Sequence, residues 1–436
     1  MKTKAILTAA MAMTVVTTEA QETGFRVSQI GDGYSQTSVN TAVFRYSALA
    51  TADSAGYRIQ YACYYSPQGN LTIAKRRLDS DDWTIAETDY RAKVEDGHNV
   101  ASMAVDGEGY IHIAYDHHGN KLHYRKSVRP YSTELGTEMP MLGDLEDEVT
   151  YPEFHKLPSG NLIFVYRTGK SGNGDMIMNR YDCDSGKWSR VQDNLIDGEG
   201  RRNAYWQMCT DRKGRIHLAW VWRDTWKVET NHDMSYAYSD DEGRTWNTID
   251  GKQYELPITI GTADVAWGIP MQSELINQTS IAADHKGRPY IATYWRSADS
   301  EIPQYRIIWH DGKTWRMEEV SHRKTPFSLS GGGTKMIPIS RPRLVIDRNR
   351  AYYIVRDEER GSRVTLYTCT KLGKEPWTVE DILLEDVGAW EPSIDEALWN
   401  DSGELHIFVQ QTFQGDGEKV VKHEPTPVCV LEVGLE

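Results

Sequence analysis

The sequence predicts an all-β chain folded as a seven-bladed β-propeller. Three observations carry that prediction. A hairpin pattern recurs seven times: a short apolar strand, a tight polar turn, then an alternating strand rich in aromatics. Ser239–Trp246 fits the S-x-D-x-G-x-T-W Asp-box, a blade-turn signature in which the Asp caps the turn and the Trp packs between sheets, a structural role. The aromatic usage is skewed, with 14 Trp and 24 Tyr against 7 Phe. Such residues form strands, and their polar handles suit half-buried surfaces that stack on sugars.

In chain order, the first element is a targeting segment. Lys2 and Lys4 precede an apolar run over 5–16 too short to span a bilayer, and small residues continue to Ala20. Residues 1–20 are therefore predicted to be a signal peptide, cut between Ala20 and Gln21, and the protein to be exported. Residues 21–436 read as one propeller domain, without Pro-, Gly- or Ser-rich linkers. The repeats fall at 57–77, 100–119, 152–169, 206–223, 279–296, 342–359 and 392–411. Their turns centre on Gly69, Gly109, Gly160, Gly214, Gly287, Asn349 and Gly403, where a positive φ is expected. Further strand pairs between the hairpins bring each unit to four strands, and a ring of such units limits open edges.

Composition excludes several functions. A hydrophobic fraction of 39% supports a packed core, and a net charge of −14 argues against nucleic acid as a partner. Nothing after the N-terminal segment reads as a membrane span. The five cysteines show no metal-site spacing and read as buried thiols. A Cys183–Cys209 pair, or a metal shared with a histidine, is the alternative. A monomer is expected.

Hairpin geometry aims particular side chains. In the second repeat, residues summing to about 215 lie opposite each other across Asp106–Gly109, so His98 faces His117 and His118 at the end remote from the turn. The same offset gives Tyr166 and Arg167, Trp220 to Arg223, Tyr294 to Arg296, Arg356, and Gln410 with Gln411. Arranged radially, these ring one mouth of the central channel and suit an anionic sugar. Singly, each has a plainer role: a surface histidine, a salt-bridged arginine, a core tyrosine. Together they fit the β-elimination of a uronate. Arginine neutralises the carboxylate, a His or Tyr base takes the C5 proton, and a Tyr or His acid protonates the departing O4. Hydrolysis usually needs two facing carboxylates. Asp116 and Asp175 are candidates, but no carboxylate pair recurs at the mouth.

The block DGHNVASMAVDGEGYIHIAYDHHGNKLHYRKS (96–127) resembles the seven-bladed propeller polysaccharide lyases: ulvan lyases and rhamnose-glucuronate lyases, with an α-L-rhamnosidase family on the same fold. SVNTAVFR (38–45), FVYRTGKSGNGDMIMNRYD (164–182), RNAYWQM (202–208) and NHDMSYAYSDDEGRTW (231–246) extend it over most of the chain. The resemblance implies His98, His118, Tyr166 and Arg180 as catalytic residues, Arg180 resting on the resemblance alone, and Asn99, Arg223, Arg296 and Arg356 as substrate contacts. It leaves open which of His98, His118 and Tyr166 is the base. The expected substrate is an acidic poly- or oligosaccharide, ulvan or a rhamnose-capped arabinogalactan, cleaved at the 1,4 bond between rhamnose and glucuronic acid. The chemistry needs no cofactor, and a structural calcium or zinc ion is compatible with it. The alternatives are a rhamnosidase and a propeller that only binds acidic glycans. The rhamnosidases use a histidine in the N-terminal segment on the opposite face; here none precedes His98, and FRYSAL (44–49) offers Tyr46.

Overall fold

The alternating segments pair as antiparallel strands, and in the computed structural model, which describes residues 24–435 except 45 and 55, they form seven sheets. The predicted signal peptide lies outside the described residues. No helix among them is long and apolar enough to cross a membrane. In chain order the blades are residues 49–91, 101–126, 149–192, 203–267, 280–319, 343–383 and 393–433. From blade 1 to blade 6 successive first strands touch one another, which sets them around the axis. Phe25–Gly33 returns to pair with Thr426–Val433, so the N-terminal strand completes blade 7 and closes the ring.

Apolar faces of neighbouring blades form the core. Tyr61, Cys63 and Leu71 of blade 1 pack on Met103, Ile111 and Ile113 of blade 2. Ile163, Val165 and Met178 of blade 3 pack on Met208, Leu218 and Trp220 of blade 4. Trp246 of the Asp-box is fully buried in that second cluster, its indole nitrogen donating to the Gly243 carbonyl at 2.9 Å. Asp241 caps the turn as expected, accepting from Thr245 N at 2.8 Å and Thr245 Oγ1 at 2.7 Å.

Three repeat expectations need correction. The 57–77 hairpin is one strand out of phase: Gly69 lies between the second and third strands of blade 1, and the turn equivalent to Gly109 is at Gly56. Asn349 does not carry the positive φ; its neighbour Arg348 does, at 53°. Gly403 ends a helix, Glu396–Ser402, rather than a hairpin turn, and adopts φ 77° as its C-cap. The strand count also departs from four in two blades. Blade 2 has three strands, because His118–Asn120 crosses over to pair with the first strand of blade 3, giving that sheet five.

The channel is filled by the chain's own N-terminal segment. Phe44 contacts His98, Tyr151 of blade 3 and Arg341. Deeper, Tyr46 touches blades 3, 4, 6 and 7: its ring lies 4.3 Å from that of His155, its hydroxyl lies 2.7 Å from the Met208 carbonyl oxygen and 2.5 Å from the Glu396 carboxylate, and Arg343 packs on it. Contacts on so many sides place Tyr46 on the axis, buried. Cys183 and Cys209 do not pair; the Cys183 thiol donates to the Gly160 carbonyl at 2.9 Å and Cys209 is buried in blade 4.

Candidate active site

Asp106–Gly109 turns the second hairpin with pairs from Ala101↔Tyr115 to Val105↔Ile111, a register sum of 216. Beyond the paired residues, the loop before blade 2 carries Asp96 and His98, and the crossing strand returns His118 to them. The two imidazoles stack at 4.0 Å and 14°, and Phe44 continues the stack on His98 at 4.7 Å and 13°. Asp96 joins the pair: Oδ1 lies 2.9 Å from His98 Nδ1 and Oδ2 2.6 Å from His118 Nδ1. Glu418 approaches His98 Nδ1 to 3.1 Å, and Thr334 Oγ1 to 3.3 Å.

Burial would lower the His98 pKa, but the hydrogen bonds and charges of Asp96 and Glu418 outweigh it and raise it to about 9. Conversely, burial would raise Asp96, but its bonds to His118 and His98 hold it well below the carboxylate range. His98 is therefore an imidazolium at neutral pH. His118 is half exposed, with Nδ1 tied to Asp96, the arrangement that leaves Nε2 as the working nitrogen of an Asp–His pair.

The second half of the site comes from blades 3 and 4. Thr150 pairs with Arg167 and Glu153 with Val165, so a bulge at Tyr151 and Pro152 interrupts the ladder. Tyr151 there takes φ 57°, a costly conformation for a bulky residue. The bulge aims Tyr151 into the site: its ring lies 5.1 Å from Phe44, 5.8 Å from His98 and 5.9 Å from Tyr205. Arg167 packs 5.0 Å from the Tyr151 ring and Arg223 5.4 Å from that of Tyr205. Both guanidiniums are buried. Nε and Nη1 of Arg167 and Nε of Arg223 have no hydrogen-bond partner among the described residues.

The tyrosines respond oppositely to those charges. Burial favours the neutral form of each and raises Tyr151. For Tyr205, Arg223 and Arg167, with hydrogen bonds from Ser171 and Asn203, outweigh burial and bring it down to about 8. Close to neutral pH, one tyrosine hydroxyl is thus acidic enough to give up its proton beside two cations with open N–H groups.

The structure brings together His98, His118 and Arg223 of the predicted site, with Asn99 adjoining: buried, its side-chain nitrogen donates to the Lys93 carbonyl at 2.9 Å. Arg356 lies on the Arg341 side, donating to the Ile337 carbonyl at 2.9 Å, in a cavity of about 260 Å³ shared with Phe44 and Thr334. Arg296 lies apart from the histidine cluster, bound to the Gln272 carbonyl at 2.6 Å.

Tyr166 and Arg180 do not join the cluster. Tyr166 is fully buried between blades 2 and 3 among Phe164, Tyr124 and Ile177, its hydroxyl donating to the Leu145 carbonyl at 3.1 Å; burial raises its pKa. Arg180 pairs with Ile163 near the turn end, whereas Arg167 pairs with Met176, four residues nearer the site. Arg180 bonds Asp182 at 3.0 Å and Glu242 of the Asp-box turn, tying blade 3 to blade 4. The sequence reading missed Phe44, Asp96, Tyr151, Tyr205 and Glu418 as site residues. Alternation along 162–170 was the available signal: it puts Tyr166 and Arg167 on opposite faces, so only one of them can join the cluster.

Asp96, His98 and His118 are also the set of described residues that offers three ligand atoms to a metal. The set does not fit one ion. Imidazole lone pairs lie in the ring planes, and two planes stacked 4.0 Å apart at 14° share no position at bonding distance. Asp96 occupies the place between them as a hydrogen-bond acceptor.

These features define a seven-bladed propeller with an ionised His–Asp cluster and an arginine-flanked tyrosine pair at one mouth. The chain belongs to the BNR repeat-containing family, whose model matches residues 59–323. Among curated proteins it is similar to an ulvan lyase of Alteromonas sp. (strain LOR), 23% identical over 313 residues, which are 59% of this chain and 61% of the relative. It is also similar to the long isoform of an ulvan lyase of Alteromonas sp, 24% identical over 277 residues, 50% of this chain and 27% of the relative. The chain thus spans under two thirds of the length of these relatives. Among solved structures, a PL25 ulvan lyase bound to -[GlcA(1-4)Rha3S]- superposes with a TM-score of 0.69 at 17% identity, covering 93% of this chain and 96% of the other. A second polysaccharide lyase gives 0.65 at 16% identity, covering 94% and 98%.

Proposed function

We propose that this protein is an exported, monomeric polysaccharide lyase that cleaves by β-elimination the 1,4 bond between rhamnose and glucuronic acid in an acidic glycan. The observation that carries this reading is the pair of buried guanidiniums, Arg167 and Arg223, with unpartnered N–H groups beside a tyrosine pair and an Asp–His pair. The curated relatives named ulvan lyase support the same chemistry.

In this mechanism Arg167 and Arg223 bind the uronate carboxylate and stabilise the charge that develops as C5–H breaks. His118, its Nδ1 held by Asp96, takes the C5 proton. The C5 electrons form the C4=C5 double bond as the C4–O4 bond breaks. The Tyr151–Tyr205 pair gives O4 a proton, leaving an unsaturated uronate and a free hydroxyl on the departing rhamnose. His98, held as an imidazolium by Asp96 and Glu418, adds positive charge next to the base. Two of the acids near the mouth are committed elsewhere. Glu391 accepts from Arg341 at 2.8 Å and Val43 N at 2.7 Å, and Asp116 from Tyr90 at 2.6 Å and Lys93 N at 3.0 Å. This favours elimination over hydrolysis by two free carboxylates.

The test is ultraviolet absorbance during incubation with ulvan and with rhamnose-capped arabinogalactan. Growth of the conjugated C4=C5 uronate signal is expected, and the responding polymer identifies the substrate. Free rhamnose without that signal would make the chain a hydrolase. Silence on both would leave a glycan-binding propeller.

A further inference from the structure

Trp226 is 56% exposed, at the rim of the mouth that holds the proposed active site. It sits in the loop between two strands of blade 4, Ile216–Arg223 and Asn231–Ser239, and its position is fixed by its neighbours. The Arg223 guanidinium donates to the Trp226 carbonyl, and Val228 N donates to the Gly331 carbonyl at 2.9 Å. Glycines of two loops press against it. A Cβ at Gly332 would lie 3.1 Å from Cε3 of the indole, and one at Gly172 would lie 3.2 Å from the Trp226 nitrogen. The run Gly331–Gly333 leaves room for this ring, which stays at the surface.

The same glycine run leads to the histidines. Thr334 lies two residues beyond Gly332 and contacts His98 Nδ1 at 3.3 Å, and two residues of chain span at most about 7 Å. From the other side, Arg223 links the Trp226 backbone to the tyrosine pair. A large aromatic ring is thus held at solvent level beside both halves of the site, positioned by backbone contacts and with the Lys227 ammonium 5.8 Å from its centroid, and it stays largely exposed. Leaving so much indole in water is costly unless something covers it.

We propose that Trp226 is a sugar-stacking platform: it receives the apolar face of a pyranose one or two units along the acidic glycan from the bond that is cleaved. The proposal rests on the lyase reading and adds that the site grips a chain longer than the cleaved disaccharide unit. The indole face supplies C–H contacts that ignore substituent charge, while Arg167 and Arg223 read the carboxylate.

The experiment compares wild type, Trp226→Ala, Trp226→Phe and Gly332→Ala on the responsive polymer and on its shortest cleavable oligosaccharide. The polymer-to-oligosaccharide ratio of kcat/KM is expected to fall about tenfold in Trp226→Ala, the size of one aromatic contact. Trp226→Phe should recover much of that loss, and Gly332→Ala, whose methyl displaces the indole, should fall between. An unchanged ratio in Trp226→Ala would overturn the platform while leaving the lyase reading intact. If wild type eliminates no uronate glycan, the lyase reading fails instead. Calorimetric titration of ulvan and arabinogalactan into wild type and Trp226→Ala then decides the platform, equal affinities overturning it.

Discussion

Replacing Asp96 with Asn removes one of the two carboxylates that hold His98 charged. In the native chain, moving His98 from its ordinary 6.5 to about 9 corresponds to about 3 kcal/mol in favour of the folded imidazolium. A raised folded pKa contributes fully below the unfolded value and is lost as pH climbs through the folded one, so this contribution fades between pH 6.5 and about 9. Asp96 and Glu418 are depressed, so theirs is present above the ordinary carboxylate range and lost on acidification. In Asp96→Asn, Glu418 still faces His98 at 3.1 Å, so the imidazole should titrate between those limits, about one pH unit or more below the native midpoint. NMR titration of the His98 ring reads this directly. Urea unfolding should show a loss of about 1–3 kcal/mol at pH 6 that shrinks by pH 9.5. Because Asp96 also orients His118, kcat should fall about a hundredfold or more. A native His98 midpoint near 6.5, or a variant midpoint still near 9, would refute the reasoning.

Tyr205→Phe should abolish most elimination and remove a limb of the pH–rate profile: an acid titrating at about 8 must be protonated to work, so native activity should fall as pH rises through 8. Arg167→Ala should raise KM and lower kcat together by about a hundredfold or more in kcat/KM, since the carboxylate charge grows in the transition state. Tyr166→Phe and Arg180→Ala should keep most activity in the same absorbance assay. They lose a hydrogen bond to Leu145 O and a tie to Glu242, about 1 kcal/mol each in denaturant unfolding. Trp246→Ala, emptying a fully buried site between blades 3 and 4, should cost about 3–5 kcal/mol in the same unfolding measurement.

The propeller was legible because period-two alternation and glycine turns are local signals. Gly109, Gly160, Gly214 and Gly287 all adopt positive φ, and each lies in the turn between the first two strands of its blade. Gly69 has the same φ and apolar flanks, and it misled: turns between second and third strands use the same chemistry, so a single hairpin cannot reveal its own phase. The closing strand Phe25–Gly33 escaped notice because its partner lies at the other end of the chain. No local pattern encodes a pairing of that separation.

The candidate site divides along the same line. His98 and His118 were found by counting across one turn: the hairpin keeps a register sum of 216 from Val105↔Ile111 to Ala101↔Tyr115, and the two histidines flank its ends, one in the loop before it and one on the strand that crosses to blade 3. Arg167 and Arg223 were reached by the same count. Tyr166 was selected by the same offset and lies on the opposite face from Arg167, because neighbouring strand residues point apart. Arg167 shares the face that packs toward blade 4 and ends against Tyr151, whereas Tyr166 is on the face packed toward blade 2. The tyrosine that does face the histidines, Tyr151, is there because a bulge at Tyr151–Pro152 breaks the alternation, at the cost of a strained φ. Registers propagate through regular strands and shift at bulges, so sequence counting loses the group that a bulge re-aims. Straightening this bulge should therefore damage chemistry before stability: Pro152→Val should let Tyr151 return to the ladder. With the Asp–His pair untouched, elimination should fall at least about tenfold while unfolding free energy stays within about 1 kcal/mol of native or rises. A variant that unfolds early yet turns over normally would show that the bulge serves packing, not the site.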